Sequence, residues 1–143
     1  MHIMPFDPAH LRLLVLQDAQ SWMEPMLAKE DYGQYLKDAG PCFTAEHDGR
    51  VLVCSGLVNV WENRAQAWAL MSADAGRHFV RIFRAIRSFL DLQDIRRIEA
   101  TVDADFEQGH RLMKMLGFRL ETPEPMRAYM PDGRDCHLYG RVS

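Results

Sequence analysis

The stretch MSADAGRH, residues 71–78, has residue types that could bind a phosphate. It holds one glycine, Gly76, followed by one cation, Arg77. A strand, a tight turn and a helix start in that order leave backbone N–H groups unpaired, and such groups bind anions. Phosphate-binding turns usually contain several glycines, and here Asp74 lies where the anion would bind. The stretch therefore predicts a phosphate-binding turn whose affinity for phosphate is weakened.

Asp74 has a second interpretation as a helix cap. Aspartate is favoured immediately before a helix, where its side chain contributes about 1 kcal/mol. A capping carboxylate would occupy the amides that a phosphate needs, and it would repel the phosphate. Replacing it by asparagine is therefore expected to tighten binding. For Arg77, a phosphate contact and a solvated surface position remain equal alternatives. Arg81 and Arg84 are expected on the solvated face of a core-packed helix.

Other reactive residue types lack diagnostic spacing. The three cysteines, Cys42, Cys54 and Cys136, form no CxxC pair and leave one over, which favours a reducing compartment. The six histidines show no HExxH or Cys/His pattern, so no metal site is expected. Cys54 is a poor nucleophile candidate, because it falls in mid-strand with no histidine or aspartate at a diagnostic spacing.

Composition sets the class of protein. A chain of 143 residues with 48% apolar content fits a single domain, residues 1–143. The net charge of −3 argues against a nucleic-acid clamp, and a nucleic-acid binder would rest on little beyond the four arginines between residues 77 and 87. No apolar run reaches the roughly 18 residues that a membrane span needs. We therefore expect a cytoplasmic protein with no membrane or nucleic-acid partner.

Apolar periodicity predicts an α+β chain. We expect helices over residues 8–23, 30–40, 75–90 and 106–116, the last ended by Gly117. The strands are expected around a hairpin at Asp48-Gly49, over residues 65–72 and 95–103, and at FRLE and CHLYGRV. The helical spacing predicts a buried face; its members are Phe79, Ile82, Phe83, Ile86 and Leu90.

This element order, ending in GHRLMKMLGFRLE, resembles the GCN5-related N-acetyltransferase (GNAT) superfamily. The resemblance implies a mixed, mostly antiparallel central sheet flanked by helices, with splayed fourth and fifth strands. It also implies that the fourth strand and the following helix bind acetyl-CoA. The chain departs from the family's Arg/Gln-x-x-Gly-x-Gly/Ala motif. By position, the cofactor-binding residues implied here are Met71, Ser72, Ala75, Gly76, Arg77 and His78.

The resemblance also places the catalytic positions. Counted back from Gly117, the family's tyrosine, often the acid that protonates the CoA thiolate, is Met113, which cannot donate a proton. His110 lies one turn earlier, and Asp103 follows the fifth strand; these two are the candidate catalytic residues. Glu99 is expected to be an ordinary surface carboxylate.

Two functions remain open. The first is a divergent N-acyltransferase that moves an acetyl or other acyl group from CoA to an amine of a small molecule or protein. The alternative is a catalytically inactive GNAT-fold protein, with no cofactor if the site is degenerate. The segments AWALMSADAG and MRAYMPDGRDCHLYGRV resemble GNAT-like proteins of tailed bacteriophages and prophages. That resemblance implies phage structural partners and packaging in a virion. A homodimer is also expected.

Overall fold

The computed structural model describes residues 1–143, apart from the side chain of Glu30, and this part of the chain contains seven strands and five α-helices. The strands are β1 (His2–Pro5), β2 (Cys42–His47), β3 (Arg50–Trp61), β4 (Arg64–Met71), β5 (Arg97–Asp103), β6 (Arg119–Leu120) and β7 (Cys136–Val142). The helices are α1 (His10–Leu13), α2 (Glu24–Leu27), α3 (Glu30–Ala39), α4 (Phe79–Asp91) and α5 (Glu107–Met115). The sheet order is β1-β2-β3-β4-β5-β7-β6, which confirms the predicted α+β class with a mixed, mostly antiparallel sheet.

The chain divides into two compact units. The first comprises Met1–Asn59 and Ala67–Leu92, and the second comprises Val60–Gln66 and Gln93–Ser143. Strands β3 and β4 each contribute residues to both units. The single domain expected for residues 1–143 stays a prediction.

In the first unit, β1, β2 and β3 pair antiparallel. The turn between β2 and β3 has φ of 50° at Asp48 and 76° at Gly49, which confirms the predicted hairpin. Two successive positive φ angles match the right-handed twist of the flanking strands, and aspartate followed by glycine tolerates them best. From Val51 to Leu57 every residue of β3 is buried, including the polar Ser55.

The N-terminal segment differs from the single helix predicted over residues 8–23. α1 ends at Leu13, and Leu16 forms an antiparallel bridge to Ser72. A 3₁₀ helix over Asp18–Met23 and the short α2 follow. The helical spacing of leucines was misleading because Leu11, Leu14 and Leu16 reach one core from a partly extended segment.

α4 begins later than predicted. A 3₁₀ turn covers Ala75–His78, and the α-helix starts at Phe79. Ile82, Ile86 and Leu90 are buried as expected, and Arg81 and Arg84 are exposed. Phe83 is half-buried, and the burial predicted for Phe79 is wrong, because the ring is 37% exposed in the first turn.

In the second unit, β5 pairs antiparallel with β7, and β7 with β6. β4 and β5 pair parallel from Arg64–Arg97 to Gln66–Glu99, which confirms that the fourth and fifth strands lie side by side there. α5 ends at Met115, and Gly117, the residue predicted to end it, follows two residues later with a φ of 88°. Within α5, a Cβ at Gly109 would lie 2.7 Å from side-chain atoms of both Phe106 and Val102, so packing requires a glycine.

Candidate functional site

The backbone of residues 71–77 is largely used by the fold itself. Amide N–H groups of four predicted cofactor-binding residues already donate hydrogen bonds. The acceptors are Gln20 Oε1 for Met71 (2.9 Å), the Leu52 carbonyl for Ser72 (2.8 Å), the Ser72 carbonyl for Ala75 (3.0 Å) and the Asp74 carbonyl for Arg77 (3.3 Å). These amides hold the turn in shape. The anion-binding groups must therefore come from the residues that follow.

Asp74 does not cap α4, and that prediction is wrong. It precedes the 3₁₀ turn, and its side chain makes no capping hydrogen bond. Its carboxylate instead lies 3.3 Å from Arg50 Nη1, with both side chains well exposed. Because the 3₁₀ turn precedes it, α4 starts at Phe79, and His78 is the N-cap residue. The first-turn amides of α4 are consequently not occupied by a carboxylate.

An open pocket of about 440 Å³ lies at this N-terminus. Its lining residues are His47, Gly76, Arg77, His78, Phe79, Val80 and Arg81. The first turn of α4 holds no acidic residue, and His78 forms no capping bond. The partial positive charge of the helix terminus and the two guanidinium groups therefore act on one space. Nothing lies within 4 Å of a Cβ built on Gly76, so the turn leaves the pocket open on that side. The residues present fit a pyrophosphate.

The pocket unites Gly76, Arg77 and His78 from the sequence prediction and adds His47, which that prediction missed. The rings of His47 and His78 are 4.6 Å apart, centroid to centroid. His47 ends β2 and no local pattern links it to the turn. The one sequence signal for His47 is the Asp48-Gly49 hairpin, because that turn directly follows His47 and returns the chain beside β2.

His110 lies in the second unit with both ring nitrogens bonded. Nε2 is 3.0 Å from the Ala104 carbonyl, which accepts only, so Nε2 carries the hydrogen and donates. Nδ1 therefore accepts from the Tyr139 hydroxyl at 2.7 Å. Burial, with a smaller contribution from the charge of Glu107, raises the pKa of Tyr139, so its hydroxyl keeps its proton. The two hydrogen bonds thus hold the His110 ring in one orientation, and Tyr139 is a partner that the sequence did not indicate.

Asp103 is also engaged. Its Oδ2 pairs with Arg134 Nη1, and its Oδ1 accepts from the Asp105 N–H at 3.2 Å. Met113 is half-buried on α5. The structure thus places His110 and Asp103 in one unit, with each of them already in a hydrogen-bonded pair.

Glu99 corrects another prediction, because it is a buried carboxylate and not a surface one. Its side chain accepts from Arg64 Nε at 2.8 Å and from Arg97 Nε at 3.0 Å. Burial opposes ionisation, but the two guanidinium groups outweigh it and hold the pKa of Glu99 below its usual value. Arg64 also lies over the ring of Trp61, 4.6 Å from its centroid. This cluster has the form of a structural ion-pair network.

Cys54 has no nucleophilic character in this structure. Its side chain is fully buried, and burial raises the pKa of its thiol to about 11. Across the described residues, no three His, Cys, Asp or Glu side chains converge as metal ligands would. Of the helices that the structure describes, none combines the length and apolar character needed to cross a membrane.

Fold and pocket together define the class: an α+β protein with the fold of the GNAT acetyltransferases. A GNAT-family acetyltransferase from Streptococcus pneumoniae superposes with a TM-score of 0.71 at 16% identity, covering 99% of this chain and 98% of its own. Ribosomal-protein-S5-alanine acetyltransferase from Vibrio fischeri gives 0.70 at 14% identity, covering 98% and 91%. A mutant of spermidine N-acetyltransferase from Vibrio cholerae gives 0.68 at 16%, covering 99% and 95%.

No protein-family model and no curated protein sequence matches this chain. The structural likeness, at 14–16% identity, shows the fold. Function has to be argued from the residues of the site.

Proposed function

We propose that this chain is an N-acyltransferase that moves an acetyl or other acyl group from coenzyme A to an amine. The observation that carries the proposal is the pocket at the N-terminus of α4. It combines an uncapped helix terminus, two exposed arginines and the absence of any acidic residue in the first turn. The fold supports the same reaction class, since its structural neighbours are acetyltransferases.

In this proposal the pyrophosphate of acetyl-CoA lies in the pocket. Arg77 and Arg81 supply the positive charge. Gly76 and His78 line the pocket where the turn joins the helix. Ser72 and Ala75 contribute by holding the turn, because their amides donate to the Leu52 and Ser72 carbonyls. Met71, whose amide donates to Gln20 Oε1, contributes its backbone at the end of β4. Acetyl-CoA supplies a thioester carbonyl; the amine nitrogen attacks it, a C–N bond replaces the C–S bond, and a proton moves from the amine to the thiolate.

For the proton transfers we propose His110 and Asp103, each acting only after its present hydrogen bond is exchanged. Until then Tyr139 occupies Nδ1 of His110, and Arg134 neutralises Asp103. Holding amine and thioester together supplies much of the rate without a dedicated acid. We therefore expect a slow enzyme, which relies mainly on positioning the amine next to the thioester.

The acceptor we propose is an amine of a small molecule or of a protein, in the cytoplasm of a bacterial cell. Its support is the class of the structural neighbours, one of which is a spermidine N-acetyltransferase and another a ribosomal-protein acetyltransferase.

A second candidate is a protein of a phage or prophage that keeps the fold and performs no transfer. Two observations favour it: Met113 stands where the family's acid would be, and His110 has no free ring nitrogen. In that case the partners would be phage structural proteins or a second copy of the chain, and the protein would be packaged in a virion.

Calorimetric titration with acetyl-CoA tests the binding step. We expect Arg77→Ala and Arg81→Ala each to weaken binding about tenfold, equivalent to about 1.4 kcal/mol, and to flatten its salt dependence. Arg87→Ala is the matched control, because Arg87 is exposed on the same helix outside the pocket lining. An absence of heat for the wild type at millimolar acetyl-CoA would contradict the proposal.

Thiol release from acetyl-CoA, followed with a panel of amines, separates the two candidates. Amine-dependent release supports the acyltransferase. Binding without release supports the non-catalytic protein.

A further inference from the structure

Residues 14–20, which we call the strap, run along the end of β4. On one side of this end lies β3, since the Ser72 N–H donates to the Leu52 carbonyl at 2.8 Å. Backbone groups of successive strand residues point to opposite sides. Ala69, Met71 and Ala73 therefore present their N–H and C=O groups to the side away from β3.

The strap pairs with these groups. The four hydrogen bonds are Ala73 N–H to the Val15 carbonyl (2.8 Å), Gln17 N–H to the Met71 carbonyl (3.0 Å), Met71 N–H to Gln20 Oε1 (2.9 Å) and Gln20 Nε2 to the Ala69 carbonyl (2.7 Å). Half of them come from one side chain. Gln20 thus imitates a paired strand residue on this edge.

A strand edge with open N–H and C=O groups pairs with any extended chain that carries amides. The arm of coenzyme A between the thioester and the phosphates is such a chain, with two secondary amides. The pocket that we assign to the phosphates begins at Gly76, shortly after Ala73. The strap therefore occupies the backbone groups next to the phosphate pocket.

We propose that the strap is an autoinhibitory element, which must leave residues 69–73 before the arm of an acyl-CoA can pair with β4. This inference rests on the proposed function and names a regulation of the same site. The apparent affinity for acyl-CoA is then lowered by the fraction of molecules in which the strap is closed.

The strap has the features of a segment that opens locally. Leu14 and Leu16 anchor it, whereas Val15 is 72% exposed and Asp18 and Ala19 are exposed. It continues into the 3₁₀ helix Asp18–Met23, which buries no residue. The Gln20 side chain releases two of the four bonds by rotating, without any movement of the backbone.

The decisive variant is Gln20→Ala, which removes both side-chain bonds to β4. It also removes the bond that Gln20 Oε1 accepts from Gln17 Nε2 at 3.1 Å within the strap. Calorimetry should show acetyl-CoA binding about tenfold tighter than in the wild type, the fold-change expected for two net hydrogen bonds. Gln34→Ala is the matched control, because the Gln34 amide donates to Asp38 Oδ1 at 2.9 Å on the exposed face of α3, away from the strap. That variant should bind as the wild type does.

Amide hydrogen exchange provides a readout that needs no ligand. In the free protein the Gln17 and Ala73 amides should exchange faster than that of Ser72, and Gln20→Ala should accelerate them further. Acetyl-CoA should deprotect Gln17 while Met71 stays protected.

The outcomes separate this proposal from the function on which it rests. Suppose that the wild type binds acetyl-CoA while the Gln17 amide stays protected, and that Gln20→Ala binds with unchanged affinity. This result would contradict the autoinhibitory role of the strap and would still support the acyl-CoA site. If the strap amides exchange fast but neither the wild type nor Gln20→Ala binds acetyl-CoA, the proposed function is contradicted. Autoinhibition of that site is then contradicted as well.

Discussion

The turn before α4 and the start of α5 carry the two parts of the predicted chemistry, and they use their polar groups differently. At α4 the pocket keeps two exposed arginines and a helix terminus without a cap. Around the start of α5, His110 on the helix is bonded to Tyr139, and Asp103 at the end of β5 is bonded to Arg134. The groups suited to holding an anion are open, whereas the groups suited to moving a proton are engaged in the fold.

Under the proposed function, this difference predicts that ligand binding and turnover are separable in this chain. A helix terminus binds anions through its backbone, so drift of the side chains leaves that capacity in place. Proton transfer needs one side chain with a free site and a suitable pKa. Once such a side chain joins a satisfied hydrogen-bonded pair, freeing it costs stability.

The largest effect is expected on α4 itself. Ile82→Ala should lower the free energy of unfolding by about 3 kcal/mol, because the side chain is completely buried and its loss leaves a cavity. Val80→Ala, on the pocket side and 57% exposed, should cost under about 0.5 kcal/mol. Urea unfolding measures both values. Equal losses would show that the pocket face of α4 is wrongly assigned and would break the comparison.

The next effect concerns Glu99. Like His110 and Asp103 near α5, its side chain is engaged in hydrogen bonds within the fold. Its folded pKa is lowered below a usual value near 4.5, so it stabilises the fold above that pH and loses this contribution as pH falls through the folded pKa. Glu99→Gln should therefore cost about 2 kcal/mol at pH 7. Unfolding experiments over a series of pH values below 7 should show the difference from wild type shrinking as the pH falls through the folded pKa of Glu99. A constant difference would mean that charge is not its origin.

Tyr139→Phe tests the engaged histidine directly. Removing the hydroxyl leaves Nδ1 of His110 without its donor, which should cost about 1–2 kcal/mol. Tyr129→Phe is the control, since Tyr129 is 49% exposed, and it should be neutral. Thermal unfolding and thiol release should both be measured. A large loss of turnover with unchanged stability would assign Tyr139 to the chemistry and reverse the comparison.

The smallest effect is expected at Asp74. The sequence predicted tighter acetyl-CoA binding for Asp74→Asn, but the carboxylate pairs with Arg50 and does not line the pocket. We now expect a change in affinity of under about twofold and a stability change under about 0.5 kcal/mol. Calorimetry and urea unfolding provide the two numbers. A tenfold gain would place Asp74 beside the bound phosphate after all.

Local signals explain which parts of the fold were predictable. The Asp48-Gly49 turn, the spacing of Ile82, Ile86 and Leu90, and Gly117 after α5 each encode structure within a few residues. The start of α4 was missed because the 3₁₀ turn spans only four residues, too few for its period of 3.0 residues to be distinguished from the α-helical 3.6.

The candidate site was less predictable because its decisive contacts are distant in sequence. Gly76, Arg77 and His78 were found from the turn pattern, whereas His47 was not. The same holds for the pair of His110 with Tyr139, which lie on different elements. No spacing rule connects such residues; only the folded sheet brings them together.

The two outer strands of the sheet have a consequence for self-association. β1 spans four residues and ends in Pro5, which has no N–H to donate, and β6 spans two. An incoming chain therefore finds few consecutive backbone groups to template a longer sheet. The architecture thus resists growth into cross-β fibres, and a dimer of this protein would have to form through side-chain surfaces and not by continuing the sheet.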